Sequence, residues 1–122
     1  MVASTKKRIL VVEDERPLAH ALELKLQKEG FDVRVANNGQ DGLDLLMSEK
    51  FDVVLLDMMM PVLDGFQVLQ KLKEKPDAPA VIVLSNLSQR EDEHRVIEAG
   101  ARKYFIKSNT PLSVIVEEVK KI

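Results

Sequence analysis

Short apolar runs alternate with longer segments of helical period along this chain, and this alternation constrains the fold more than any other feature. Near-continuous apolar strands are typical of a parallel sheet that helices cover on both faces. The polar residues that directly follow such strands would lie at one edge of the sheet, where α/β proteins place their binding and catalytic sites. Four runs are followed by such groups: residues 9–12 by Glu13 and Asp14, 53–56 by Asp57, 81–84 by Ser85, and 104–106 by Lys107.

The pattern predicts a (βα)5 protein with five parallel strands and five helices. Pro17 suits the first turn of a helix, Gly30 suits the left-handed position that ends it, and Asp64 is placed to cap the third helix. A length of 122 residues fits one domain. We expect a flexible N-terminal tail over residues 1–6 and one domain over residues 7–122. The expected strands cover residues 8–12, 32–36, 52–56, 80–84 and 103–106.

Composition narrows the class of protein. The chain has no cysteine, so disulfides and thiolate metal sites are not available. A net charge of −2 with interspersed acids and bases indicates no basic face for nucleic acid. No apolar run approaches the roughly 20 residues that span a bilayer, and the first seven residues contain no hydrophobic signal core. We therefore expect a soluble, cytoplasmic protein without direct nucleic-acid binding or membrane insertion.

Each polar group at a strand end has an ordinary explanation when it is taken alone. Asp57 would form a turn or cap a helix, and Glu13 and Asp14 would favour a helix N-terminus. Ser85 would be a turn hydroxyl and Lys107 a solvated base. The coincidence of such groups at four strand ends is harder to explain in this way.

Taken together, the same groups form a set suited to phosphoryl chemistry. Three carboxylates that lie close together repel one another, and a divalent cation with Lys107 would relieve that repulsion. An all-oxygen site suits Mg²⁺ rather than zinc, which favours nitrogen and sulfur. The cation and the amine would hold the charge of a transferring phosphoryl group. Asp57, between them, is a candidate nucleophile, since aspartyl phosphates are known intermediates.

The chain resembles the receiver domains of response regulators in two-component signalling. The resemblance covers nearly the whole chain. It implies the flavodoxin-like fold, a doubly wound five-stranded parallel sheet in the order 2-1-3-4-5, which the chemotaxis regulator also has. The residues that carry it are Val-Val-Glu-Asp-Glu at 11–15, the specific pattern Asp-x-x-Met-Pro-x-x-Asp-Gly at 57–65, Leu-Ser at 84–85 and Tyr-Phe-Ile-Lys at 104–107.

The resemblance implies a role for each residue of the phosphoryl and metal sites. Asp57 would be the phosphoacceptor, and Lys107 would pair with the phosphoryl oxygens. Mg²⁺ would be the cofactor, bound by the side chains of Asp14 and Asp57 and by the backbone carbonyl of Met59. Glu13 would act on the cation through a water molecule.

The resemblance also implies a switch and a control of signal lifetime. Ser85 would hydrogen-bond the phosphoryl group, and Tyr104 would be the aromatic side chain whose rotamer changes. The residues two after the phosphoacceptor and two after the switch hydroxyl, here Met59 and Leu87, tend to set the rate of self-dephosphorylation. Both are apolar and would direct an attacking water poorly, so we predict slow loss of the phosphoryl group.

Two positions depart from the usual receiver pattern. Asn86 follows the switch hydroxyl where a small residue is usual, and Ser108 follows the lysine where proline in a cis bond is common. We predict a trans Lys107–Ser108 peptide, because a cis bond without proline costs roughly 2.5–4 kcal/mol. The charge pattern of dimerising transcription-factor receivers is missing around the fourth helix and fifth strand, which leaves the mode of output open.

The predicted function is a phosphorylatable signalling switch. A histidine kinase or histidine phosphotransfer protein would donate the phosphoryl group to Asp57. The changed face would then act on an unknown downstream protein or on an output domain outside this sequence. The protein would catalyse its own phosphorylation and slow dephosphorylation only, and would not otherwise be an enzyme.

Three alternatives remain at this point. A degenerate receiver would fold in the same way and act as an interaction module without phosphorylation. A hydrolase with an aspartyl-phosphate intermediate would carry a second Asp where Met59 stands. A flavodoxin-like cofactor binder would need a phosphate-cradling loop after the first strand, where Glu13, Asp14 and Glu15 would repel a phosphate.

Overall fold

A computed structural model describes residues 6–86 and 90–122, without the side chains of residues 90 and 91. The predicted alternation of strands and helices is confirmed. No helix in these two ranges is long and apolar enough to cross a membrane. The strands are Arg8–Val12 (β1), Asp32–Ala36 (β2), Val53–Leu56 (β3), Ala80–Ser85 (β4) and Lys103–Ile106 (β5). The helices are Arg16–Lys28 (α1), Gly39–Ser48 (α2), Gly65–Leu72 (α3), Arg90–Glu98 (α4) and Leu112–Lys120 (α5), and one 3₁₀ turn, Lys107–Asn109, precedes α5.

The five strands form one parallel sheet in the order β2-β1-β3-β4-β5, which confirms the predicted topology. The register brings the carboxyl ends of β1 and β3 level with each other, and those of β4 and β5 level with each other slightly further along. Val12 of β1 is paired with Leu56 of β3, and Ser85 of β4 is paired with Ile106 of β5. Residues that follow these pairs therefore gather at one edge of the sheet.

Side chains of the strands point alternately to two core layers, as the period of two in a strand requires. β1 and β3 lie in the middle of the sheet and are buried on both faces, which explains their unbroken apolar runs. One layer packs on α2, α3 and α4 and includes Leu10, Val12, Leu46, Val54, Leu56, Val68, Leu69, Val83 and Val96. The other packs on α1 and α5 and includes Ile9, Val11, Leu22, Leu26, Val53, Leu55, Ile82, Ile115 and Val116.

The local signals for helix ends are confirmed. α1 carries Pro17 in its first turn, and Gly30 follows it with a φ of 93°, in the left-handed region. Asp64 caps α3 through a capping box, in which its carboxylate accepts from the Gln67 backbone and the Gln67 side chain accepts from the Asp64 backbone. Two strand limits differ by one residue from the prediction: β3 begins at Val53, and β4 ends at Ser85.

Candidate functional site

Three carboxylates meet where β1 and β3 end. Glu13 and Asp14 follow β1, Asp57 follows β3, and one oxygen of each lies within 4.8 Å of the others. The Asp57 backbone N–H donates to the Val12 carbonyl at 3.0 Å, so the strand pairing itself holds the two loops together. Glu13 and Asp57 are only 2 % and 3 % exposed, whereas Asp14 is exposed to solvent. The predicted cluster therefore exists and is open to solvent at Asp14.

Lys107 reaches this cluster from the end of β5. Its side chain is 9 % exposed, and its Nζ lies 2.8 and 2.9 Å from the two carboxylate oxygens of Glu13 and 3.0 Å from Asp57 Oδ2. A longer contact of 3.4 Å joins Nζ to Glu15, a residue that the sequence interpretation did not assign to the site. The sequence signal that could have assigned Glu15 to the site is its position in the acidic run after β1, next to Glu13 and Asp14. When all are ionised, one ammonium faces three cluster carboxylates, so two negative charges remain unbalanced.

Burial and charge act against each other at Glu13 and Lys107. Burial raises the pKa of Glu13 to about 7 and the nearby charge of Asp57 adds to this, while hydrogen bonds from Lys107 and from the Glu15 N–H lower it only in part. Burial alone would lower the pKa of Lys107, but its hydrogen bonds to Glu13 and Asp57 outweigh burial and raise it. The cluster therefore holds its lysine charged and one of its acids partly protonated near neutral pH.

The loop after Asp57 holds this carboxylate in a defined orientation. The Met59 N–H donates to Asp57 Oδ1 at 3.0 Å, while the Met59 side chain is exposed. At Gly65 an added Cβ would lie 2.7 Å from the Asp57 carbonyl oxygen, so only glycine fits there. Between Met59 and Gly65 the chain makes a γ-turn. Val62 at its centre has a φ of 71°, and the Leu63 N–H donates to the Pro61 carbonyl at 2.8 Å. The sequence did not predict that turn.

Two buried hydroxyls lie on the neighbouring strands. Ser85 is fully buried at the end of β4, and Tyr104 lies on β5. Neither hydroxyl has a hydrogen-bond partner among the residues that the structure describes, which is uncommon for buried polar atoms. Burial raises the pKa of Tyr104, and the charges of Asp92 and Glu93 add to this effect.

Leu87, the other residue predicted to control signal lifetime, lies outside the described residues.

The loop that carries Lys107 follows β5 directly. The Lys107–Ser108 peptide is trans, as predicted. The Ser108 backbone N–H donates to the side-chain oxygen of Asn86 at 3.2 Å. The Thr110 hydroxyl donates to the Ile106 carbonyl at 2.8 Å.

Comparison with protein families identifies the class of protein that this fold and site define. The family model described as "Response regulator receiver domain" matches residues 9–120. Because this match spans most of the chain, the chain belongs to the response regulator receiver domain family of two-component signalling. The resemblance inferred from the sequence motifs is therefore confirmed.

Solved structures agree with this assignment. The Francisella response regulator 1452 receiver domain is 28% identical over 95% of each chain, with a TM-score of 0.89. The Thermotoga maritima response regulator TrrA, solved in complex with Mg²⁺-BeF, is 34% identical over 94% of this chain and 97% of its own, with a TM-score of 0.82. Vibrio cholerae CheY4, a chemotaxis protein, is 20% identical over 97% of this chain and 99% of its own, with a TM-score of 0.88. At that identity, CheY4 shows the shared fold alone.

The donor set of the cluster fits a magnesium ion. All the groups are carboxylate oxygens, which Mg²⁺ prefers, and their excess negative charge together with the raised pKa of Glu13 is what a bound cation would offset. The exposed side of the cluster at Asp14 leaves room for the water ligands that Mg²⁺ retains.

Proposed function

We propose that this protein is a phosphorylatable signalling switch that accepts a phosphoryl group on Asp57 from a histidine kinase or a histidine phosphotransfer protein. The observation that carries the proposal is the contact of Asp57 with Lys107 at 3.0 Å inside a cluster of three carboxylates. This arrangement occurs in a chain of the receiver family. It joins a nucleophile, an amine and a cation-binding set at one solvent-facing edge.

Asp57 is the proposed phosphoacceptor, because hydrogen bonds to both of its oxygens orient the carboxylate. Oδ1 accepts from the Met59 N–H and Oδ2 accepts from Lys107, so the carboxylate plane is held before the donor arrives. An oxygen of Asp57 forms a bond to phosphorus while the bond from phosphorus to the donor nitrogen breaks. The electron pair of that bond leaves with the donor. Lys107 then pairs with a phosphoryl oxygen.

The proposed Mg²⁺ ligands are the carboxylates of Asp14 and Asp57 and the backbone carbonyl of Met59, with Glu13 acting through a water. When bound, the cation offsets negative charge on the phosphoryl oxygens. Asp14 suits a direct ligand because it is the exposed member of the cluster. Glu13 suits a more distant role because Lys107 already contacts both of its oxygens.

Ser85 and Tyr104 are the proposed switch residues. The Ser85 hydroxyl is buried without a partner among the described residues, and a phosphoryl group on Asp57 would supply an acceptor. Tyr104 lies on the adjacent strand, with a buried hydroxyl that likewise lacks a partner in the described part of the chain. We propose that both side chains reorient after phosphorylation and change the surface that a downstream protein or an output domain contacts.

Signal lifetime is the last part of the proposal. Met59 is apolar and exposed beside Asp57, and Leu87 occupies the second position that tunes this rate in receivers. Neither side chain orients a water strongly, so the phosphorylated state is expected to be long-lived. In this proposal residues 7–122 act as one cytoplasmic receiver domain that catalyses only its own phosphorylation and slow dephosphorylation.

Intact-mass measurement with acetyl phosphate and Mg²⁺ tests the proposed function. The parent protein is expected to gain one phosphoryl group, and Asp57→Asn is expected to gain none. The matched control is Asp52→Asn. Asp52 directly precedes the first residue of β3, at the end of the strand away from Asp57, and this variant is expected to label like the parent. Labelling of Asp57→Asn at the parent rate contradicts the assignment. A parent that takes up no phosphoryl group favours a degenerate receiver.

A further inference from the structure

We propose that Asn86 is a positioning residue of the phosphoryl site, because its side chain holds the turn that carries Lys107. The inference rests on the proposed function, in which Lys107 acts on the phosphoryl group at Asp57. In this role Asn86 contacts neither Asp57 nor Glu13, and it acts on Lys107 through the backbone of Ser108, the next residue.

The contact lies just beyond the point where strand pairing ends. Ser85 and Ile106 are the last registered pair of β4 and β5. One residue beyond the end of β4, the side-chain oxygen Oδ1 of Asn86 accepts a hydrogen bond from the Ser108 backbone N–H at 3.2 Å. A side-chain oxygen therefore extends the link between the two strands past their last backbone pair. Lys107 lies between Ile106, which the sheet holds, and Ser108, which Asn86 holds.

The Ser108 N–H needs an acceptor from elsewhere. Ser108 belongs to the 3₁₀ turn Lys107–Asn109, and the first N–H groups of any such turn have no acceptor within it. The residue at the N-cap position is Ile106, whose side chain has no oxygen and makes no capping bond. Asn86 supplies the acceptor from the neighbouring loop instead.

Both residues of this hydrogen bond are positions where the chain departs from the usual receiver pattern. Proline at position 108 would have no N–H to donate, and alanine or glycine at position 86 would have no side-chain oxygen to accept the bond. The two departures are therefore parts of one contact. In this chain the hydrogen bond between Ser108 and Asn86 holds the backbone that follows Lys107.

The contact matters for Lys107 because the lysine side chain is long and flexible. Its Nζ must stay within hydrogen-bond distance of both Asp57 and Glu13, and each rotatable bond makes that position harder to keep. Fixing the backbone before and after Lys107 limits the positions that Nζ samples. The proposed Mg²⁺ ligands lie on the loops after β1 and β3, and Asn86 contacts neither loop in this role, so their arrangement should depend on Asn86 less than the position of Lys107 does.

The first experiment separates the phosphorylation rate from Mg²⁺ affinity. Asn86→Leu keeps the branching and the number of side-chain heavy atoms and removes the acceptor, and we expect initial labelling by acetyl phosphate at saturating Mg²⁺ to slow about fivefold. Mg²⁺ affinity is expected to change much less than the labelling rate. Asn86→Asp keeps an acceptor oxygen and is expected to recover most of the rate at high salt, where its added charge is screened. Asn109→Leu, on the same turn, is the matched control and should label like the parent.

The second experiment tests whether Asn86 acts through Lys107. In a Lys107→Met background, Asn86→Leu is expected to cause little further slowing, because the group that it positions is gone. Equal slowing in both backgrounds overturns the proposal, since Asn86 would then act in another way, such as by controlling access to Asp57.

Amide exchange of Ser108, measured by NMR, reports the hydrogen bond directly. We expect faster exchange at Ser108 in Asn86→Leu than in the parent or in Asn109→Leu. Unchanged exchange at Ser108 overturns the proposal, and so does a labelled parent whose rate matches that of Asn86→Leu. A parent that is never labelled overturns the proposed function together with this inference, so the two failures are distinguishable.

Discussion

β1 has a cluster of ion pairs at each of its ends, and the two clusters differ in almost every physical property. At the amino end Arg8 contacts Asp32 at 3.1 Å and Glu49 at 2.7 Å, and these three side chains are 28–50% exposed. At the carboxyl end Lys107 joins Glu13 and Asp57, and all three are almost completely buried. The same strand thus carries a solvated cluster where it begins and a desolvated one where it ends.

Charge balance separates the two clusters further. At the amino end Arg34 also pairs with Glu49 at 3.0 Å, so the ion pairs of this end join two arginines to two carboxylates. That end lowers the pKa of Glu49, chiefly through the hydrogen bond from Arg8, whereas burial at the other end raises the pKa of Glu13. Exposed, matched pairs contribute little to stability and cost little. A buried cluster with excess negative charge costs stability, and groups perturbed in this way are typical of functional sites.

The largest expected effect comes from removing the amine of the buried cluster. Lys107→Met leaves buried carboxylates without their partner, so we expect the free energy of unfolding in EDTA to fall by about 3 kcal/mol. Mg²⁺ is expected to restore part of this loss. Arg8→Met at the exposed end is expected to cost less, with no dependence on Mg²⁺. Urea denaturation with and without Mg²⁺ measures both, and equal losses that ignore Mg²⁺ would remove the distinction between the clusters.

The pH dependence of the free energy of unfolding distinguishes Glu13, in the buried cluster, from Glu49, in the exposed cluster. The pKa of Glu13 rises from its ordinary value of 4.5 to about 7 in the folded state, so the folded protein binds the extra proton between these pH values. Stability of the metal-free protein therefore falls as pH rises from 4.5 to 7, and Glu13→Gln removes this decline. We expect the variant to be about 2 kcal/mol more stable than the parent at pH 8.

Glu49→Gln is the control for that measurement, with the opposite sign. The folded-state pKa of Glu49 is lowered, so its contribution is present above its ordinary pKa and is lost as pH falls through the acidic range. Urea titrations in EDTA at several pH values measure both variants. A Glu13→Gln protein with the parent's pH profile would show that burial does not perturb this carboxyl.

Mg²⁺ affinity is expected to depend on the carboxylates at the carboxyl end of β1 and not on those at its amino end. Asp14→Asn removes a proposed direct ligand and should weaken binding about tenfold or more, while Glu13→Gln should weaken it less, because Glu13 acts through a water. Asp32→Asn, at the exposed cluster, should bind Mg²⁺ like the parent. Isothermal titration calorimetry compares the four proteins, and identical affinities would reject the metal site.

The smallest expected effect concerns the lifetime of the phosphorylated state. Met59→Asn places a polar group where it orients a water beside Asp57, so phosphate loss should become a few-fold faster while labelling persists. Leu87→Glu is expected to act in the same direction. Val62→Asn is a control on the same exposed loop, and its lifetime should match the parent. A time course of intact mass after donor removal measures the rate, and unchanged lifetimes in the first two variants would place water control elsewhere.

Much of this protein follows from sequence alone because its signals are local. The apolar runs that became β1 and β3 are continuous since those strands are buried on both faces, and the polar residue that ends each run follows within one or two positions. Parallel strands then bring Asp14, Asp57 and Lys107 to one edge without any knowledge of side-chain contacts. Helix ends at Gly30 and Asp64 also depend only on neighbouring residues.

Only the tertiary structure decided which of these groups are paired and what that does to them. Lys107 and Glu13 are separated by 94 positions, yet their contact raises the pKa of Lys107 and offsets part of the effect of burial on the pKa of Glu13. The bond from Ser108 to Asn86 spans 22 positions and depends on where the pairing of β4 and β5 stops. Sequence patterns specify which face or edge a residue occupies. Desolvation and hydrogen bonding depend on distances of a few tenths of an ångström, which only packing of the whole chain determines.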